Sequence, residues 1–135
     1  VTTKSKAKGT TAEREVVRYL QNWWPAAERR ALSGNKDKGD VAGIPGVVVE
    51  VKAAVTPQLA AWKRETLVER ENAGAKYCAL VVKRPYKAVF EWDAYLPWDV
   101  IGPGGAEGWV RMDLQLAVSF LLFPSLLSSP TTTST

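Results

Sequence analysis

Histidine is absent from the 135 residues, and cysteine occurs once, at Cys78. Without histidine there is no Ser-His-Asp triad, no imidazole general base and no histidine-rich metal site. A lone cysteine inside an apolar run excludes an intramolecular disulfide and a cysteine-ligated metal cluster. No apolar run reaches the roughly 20 residues that a bilayer span needs. No signal peptide opens the chain, so the expectation is a cytoplasmic protein with no membrane partner. Basic residues are also nearly missing from the C-terminal part. Residues 1–87 hold 17 Lys/Arg and 9 Asp/Glu, a balance of +8, whereas residues 88–135 hold 1 and 5, a balance of −4. Chemistry performed with this alphabet has carboxylates, lysine and hydroxyls to work with, alone or with a hard metal ion. A basic half points toward a polyanion such as nucleic acid, with a merely solvated surface as the alternative.

With 46% apolar and 24% charged residues, the chain has the material of one soluble domain with a single core. Residues 1–127 read as that domain, and the Ser/Thr/Pro tail 128–135 as disordered. Lys4, Lys6 and Lys8 lie in a small-residue arm, 1–9, expected to stay mobile until it meets a partner. A helix is expected over residues 11–23, with Ala12, Val16, Val17, Leu20 and Trp24 as its apolar stripe and Pro25 as its stop. Glu13 precedes Val16, Val17 and Leu20 by 3, 4 and 7 positions, which sets it on the core-facing side. It also fits a capping box with Thr10, so two readings of Glu13 stay open.

Residues 28–32 read as a short strand and 33–39 as a flexible basic loop. A second helix is expected over 57–73, capped by Thr56 and stopped by Gly74. Its exposed side carries Lys63, Arg64 and Arg70 against Glu65, Glu69 and Glu71. Strands are expected at 77–83 and 87–92, then an irregular aromatic-rich connection and a last helix at 114–122. Residues 10–92 would then be the core, with 93–127 a C-terminal extension. Trp92, Trp98, Trp109 and the apolar segment 114–123 are candidates for a subunit interface, or for a cover over the domain's own sheet.

The most informative stretch is 38–53. Residues 40–44 and 47–53 read as a β-hairpin around Pro45-Gly46, with a nearly all-valine second strand suited to a buried position. Side chains alternate faces along a strand, so Glu50 and Lys52 share one face and Val49, Val51 and Ala53 the other. Charged residues in such a strand are paired or hold a metal. A structural Glu-Lys pair is one reading. The other is a site: Asp40, Glu50 and the backbone carbonyl of Val51 offer Mg²⁺ a partial oxygen shell, with Mn²⁺ as a substitute. Lys52 can orient or help deprotonate an attacking water and offset charge on a pentacovalent phosphate. A regular two-residue turn would set Asp40 opposite Val51, on the wrong face, so a bulge or an irregular start at Asp40 is required. The element order implies an α/β fold with a small mixed sheet flanked by helices.

Lys8-Gly9-x-x-Ala12-Glu13-Arg14-Glu15, then Gly39-Asp40-Val41-Ala42-Gly43, then Val49-Glu50-Val51-Lys52 together resemble a PD-(D/E)XK nuclease, specifically an archaeal-type Holliday junction resolvase. The resemblance covers residues 8–92, with Gly39 rather than proline before Asp40. It implies a restriction-endonuclease-like fold and a Mg²⁺-dependent homodimer that cuts branched DNA, such as a four-way junction, in recombination and repair. Glu13, Asp40 and Glu50 would bind metal directly or through water, with Lys52 as the catalytic lysine. Ser33 matches a serine found in resolvases. DNA contacts are expected from Lys4, Lys6, Lys8, Arg14, Arg29, Arg30, Ser33, Lys36, Lys38 and Gln58. A phage or mobile-element nuclease acting on flaps, ends or other recombination intermediates, and an inactive DNA-binding module of the same fold, are the alternatives.

Overall fold

The structure, a computed structural model, describes residues 3–31, 37–102 and 107–127. The elements in chain order are α1 (Thr3–Leu20), β1 (Glu28–Arg29), β2 (Val41–Ala42), β3 (Val47–Lys52), α2 (Leu59–Asn72), β4 (Tyr77–Val82), β5 (Asp93–Pro97), α3 (Trp98–Ile101), β6 (Trp109–Asp113) and α4 (Leu114–Leu127). The six strands form one sheet in sequential order. All neighbours are antiparallel except β3 and β4, which run parallel from Val47↔Tyr77 to Lys52↔Val82. A parallel pair needs a crossover, and α2 supplies it. The result is a mixed α/β domain with a largely antiparallel sheet.

Strand alternation divides the apolar residues between the two faces. Val47, Val49 and Val51 of β3, Ala79 and Val81 of β4, and Ala94 and Leu96 of β5 form one face. Against it lie Ala12, Val16, Val17 and Leu20 of α1 and Leu114, Ala117, Val118 and Leu121 of α4. On the opposite face, Trp62 of α2 packs with Leu80, Val82 and Tyr95, and Leu59 and Trp109 close the cluster. Glu50 and Lys52 belong to this second face, under α2.

Several expectations are corrected. The helix α1 begins at Thr3, so residues 3–9 belong to a helix rather than to a mobile arm; alanine and lysine are good helix formers, which outweighs Gly9. Thr10 is consequently inside the helix and caps nothing, which removes the capping-box reading of Glu13. The helix α2 starts at Leu59 with Gln58 as N-cap, two residues later than the Thr56-Pro57 signal. Residues 89–91 form a 3-10 turn instead of a strand, and the strand follows as Asp93–Pro97.

Residues 93–127 are no extension. The strands β5 and β6 complete the sheet, and Leu114, Ala117 and Leu121 of α4 are at most 1% exposed within the main core. Trp92 is fully buried, its indole N–H donating to the Lys87 carbonyl at 3.1 Å. Of the two accounts of this region, cover for the domain's own sheet holds for these residues. The tail 128–135 lies outside the described residues.

Candidate active site

The geometry around Asp40 depends on where the hairpin departs from regularity. Pro45-Gly46 forms the expected turn, with Val47 N–H donating to Ile44 O at 3.1 Å and Gly46 at φ +73°. A regular ladder from that turn would pair Val41 with Glu50. The observed partner of Val41 is Val49. Two residues, Ala42 and Gly43, therefore stand against the single residue Val48, which is a β-bulge. Gly43 carries it at φ +88°, pressed so closely on the 25–27 segment that a Cβ would lie 2.1 Å from Ala26 O. The one-residue shift turns Val41 into the core, where it is fully buried, and takes Asp40 off that face. A second irregularity follows, since Asp40 N–H also donates to Val49 O at 3.0 Å. The strand is thus Val41–Ala42 alone, shorter than the expected 40–44.

Asp40 Oδ2 accepts a hydrogen bond from Val51 N–H at 2.7 Å, and the carboxyl is within hydrogen-bonding reach of Glu50. Burial raises the Asp40 pKa, the Val51 N–H lowers it in part, and the nearby Glu13 charge raises it again. Glu50 is 3% exposed. Its pKa is pushed up strongly, first by burial and then by repulsion from Asp40 and Glu69. Lys52 Nζ lies 3.1 Å from Glu50 Oε2 and 2.9 Å from Glu65 Oε1. Burial alone would lower the lysine pKa, but Glu50 and Glu65 outweigh it and hold the group as ammonium. Glu13 stands at the α1 side, bonded to Arg29 Nε at 3.1 Å. Asp40, Glu50 and Lys52 are therefore neighbours, and Glu13, from a separate element, is near enough for its charge to act on Asp40.

Three further carboxylates were not singled out from the sequence. Asp37, Glu65 and Glu69 bring ligand-type oxygens within 4.8 Å of one another. Glu69 was assigned to the exposed side of α2, yet it is 1% exposed. The signal was present in the spacing: Trp62, Thr66 and Glu69 recur at helical intervals and are the buried residues of α2. Charge obscured it, because a glutamate in such a stripe reads as solvent-facing.

The expected DNA-contact residues are dispersed. Lys8, Arg14, Arg29, Lys38 and Gln58 are exposed, and Arg29 is engaged by Glu13. Arg30 is half-buried, its Nε without a hydrogen-bond partner among the described residues. Lys4 and Lys6 lie in the first two turns of α1. Ser33 and Lys36 lie outside the described residues. Lys8, Lys83, Arg84 and Lys87 line a cleft walled by Ala54, Val55 and Pro57, residues just beyond Lys52 on the chain. Comparison with protein families, curated proteins and solved structures finds no match to this chain.

Proposed function

We propose that the protein is a divalent-metal-dependent endodeoxyribonuclease that hydrolyses phosphodiester bonds in branched DNA, a four-way junction being the first substrate to test. One observation carries the reading: the Gly43 bulge and the irregular start of β2 bring the Asp40 carboxyl to Glu50, while strand alternation sets Lys52 beside that same Glu50. A purely structural Glu-Lys pair does not need a second, half-buried carboxylate at its side, since repulsion raises the cost of ionising both.

The donor set suits a hard cation. Asp40 and Glu50 are oxygen donors, and Glu50 Oε1 is buried with no hydrogen-bond partner among the described residues. Asp40, Glu50 and the Val51 carbonyl would hold Mg²⁺ or Mn²⁺, with Glu13 contributing through water. The ion, when bound, supplies a Lewis acid and lowers the pKa of bound water. Lys52, kept as ammonium, serves as a hydrogen-bond donor to water or phosphate oxygen rather than as a general base. The cleft lined by Lys8, Lys83, Arg84 and Lys87 offers the phosphate backbone a cationic surface. A four-way junction has two-fold symmetry, so we propose a C2 homodimer to cut both strands.

The test is cleavage of synthetic four-way junction, flap and linear duplex, with and without Mg²⁺, by wild type and by Asp40→Asn, Glu50→Gln and Lys52→Ala. Wild type should cut only with the cation, and each variant should fall at least ~100-fold while still binding DNA. Near wild-type cutting by Asp40→Asn or Glu50→Gln would overturn the assignment. DNA binding without cutting by folded wild type would favour the inactive binding module.

A further inference from the structure

The nuclease site as proposed does not use Asp37, Glu65 or Glu69. Their oxygens converge within 4.8 Å from two directions, Asp37 from the loop before β2 and the two glutamates from adjacent turns of α2. Three acidic residues near one another are common on protein surfaces, but Glu69 is not a surface residue. It is 1% exposed, and neither carboxylate oxygen has a hydrogen-bond partner among the described residues. A carboxylate buried without a donor is strongly destabilising unless a proton or a cation compensates it. Repulsion from Asp37 and Glu65 worsens the balance for Glu69. The ammonium of Lys52 is already shared by Glu50 and Glu65.

The surroundings are arranged to hold these groups in place. Asp37 Oδ1 accepts from Gly39 N–H at 2.9 Å, and Asp37 O accepts from Asn72 Nδ2 at 2.9 Å, which ties the loop to the end of α2. That leaves Asp37 Oδ2 and both oxygens of Glu69 for a ligand. Hard oxygen donors and no nitrogen or sulfur select an alkaline-earth-type ion.

We infer that Asp37, Glu65 and Glu69 form a second divalent-cation site, for Mg²⁺, Mn²⁺ or Ca²⁺, on the α2 side of Glu50 and separate from the Asp40–Glu50 position. A cation there offsets the Glu50–Glu69 repulsion and competes with Lys52 for Glu65. Lys52 is then left to Glu50 and to whatever anion enters the site. The inference stands on the geometry of these three residues and does not rest on the nuclease reading.

The experiment counts bound ions directly. Metal-stripped full-length protein is titrated with Mn²⁺, free ion is followed by electron paramagnetic resonance, and folding is checked by circular dichroism. Wild type should bind two Mn²⁺ per chain. Glu69→Gln and Asp37→Asn should each lose one ion or weaken it at least ~10-fold and keep the other, whereas Asp40→Asn should show the converse. Asp37 is exposed, so its variant remains informative if Glu69→Gln, at a buried position, fails to fold. Two ions bound with wild-type affinity in folded Asp37→Asn and Glu69→Gln would overturn the inference. A single ion lost only in Asp40→Asn would overturn it too, as would a single ion lost in all three variants or no ion at all. A single ion lost only in the Asp37 and Glu69 variants would uphold this site and remove metal from the proposed nuclease centre.

Discussion

Gly43→Ala is the substitution that most directly probes how the site is built. The added Cβ would sit 2.1 Å from Ala26 O, 2.6 Å from Ala26 C and 3.0 Å from Ala27 Cα. All three are backbone atoms, so no side-chain rotation relieves the contact. The residue would also have to keep φ +88°, which costs an alanine about 1–3 kcal/mol. Forced overpacking adds roughly 1–3 kcal/mol. The combined loss, about 2–6 kcal/mol, is a large part of the roughly 5–15 kcal/mol typical of a domain. Gly46→Ala is the matched control: Gly46 has φ +73° but nothing within 4 Å of its added Cβ, so it carries the conformational term alone. The chain's cheapest escape in Gly43→Ala is to expel the bulge, which pairs Val41 with Glu50 and turns Asp40 toward the core face. Urea unfolding should therefore show Gly43→Ala less stable than Gly46→Ala by about 1–3 kcal/mol. At low temperature, where the variant is still folded, Mn²⁺ binding at Asp40 should weaken by at least ~10-fold. Equal stability of the two variants, with Mn²⁺ binding intact in Gly43→Ala, would refute the argument that this contact sets the register.

Further outcomes follow from the packing and the charges. Leu114→Ala should cost about 2–5 kcal/mol in urea unfolding, and truncation after Asp113 should abolish the cooperative transition, because α4 closes the main core; a truncated chain that stays folded and becomes monomeric would instead restore the interface account. Burial, foremost, raises the Glu69 pKa to about 8, from an ordinary value of 4.5. A folded-state pKa raised in an acid means the folded protein binds more protons than the unfolded chain between those limits, so its share of stability falls as pH rises. Metal-free wild type should lose thermal stability from about pH 5 to about pH 8 more steeply than Glu69→Gln, and identical slopes would contradict this. Lys83→Ala combined with Arg84→Ala should weaken binding to every DNA tested and flatten the salt dependence by about two units of slope, whereas an unchanged slope would remove the cleft from the DNA path.

The local parts of this protein are legible from residue order alone. The valine run with Glu50 and Lys52 two apart puts both charged groups on one face by pleat geometry, whatever packs against them. Pro45-Gly46 carries its own turn, and Gly74, at φ +64°, ends α2 where the composition indicates. What tertiary contact decided is of a different kind. The register that frees Asp40 depends on Gly43 pressing against Ala26, 17 positions earlier, and no pattern within the hairpin encodes that distance. The burial of Glu69 depends on α2 lying over β3, since the helical stripe of Trp62, Thr66 and Glu69 says which side faces inward only once a sheet is there to face. Likewise the apolar residues of α4 could cover a sheet or a second chain, and β5 and β6 settle the matter for Leu114, Ala117 and Leu121 by presenting the uncovered face beside them. Alternation and turn chemistry act over a few residues and survive in the sequence; register and partner choice are differences between competing packings, and only the assembled core distinguishes them.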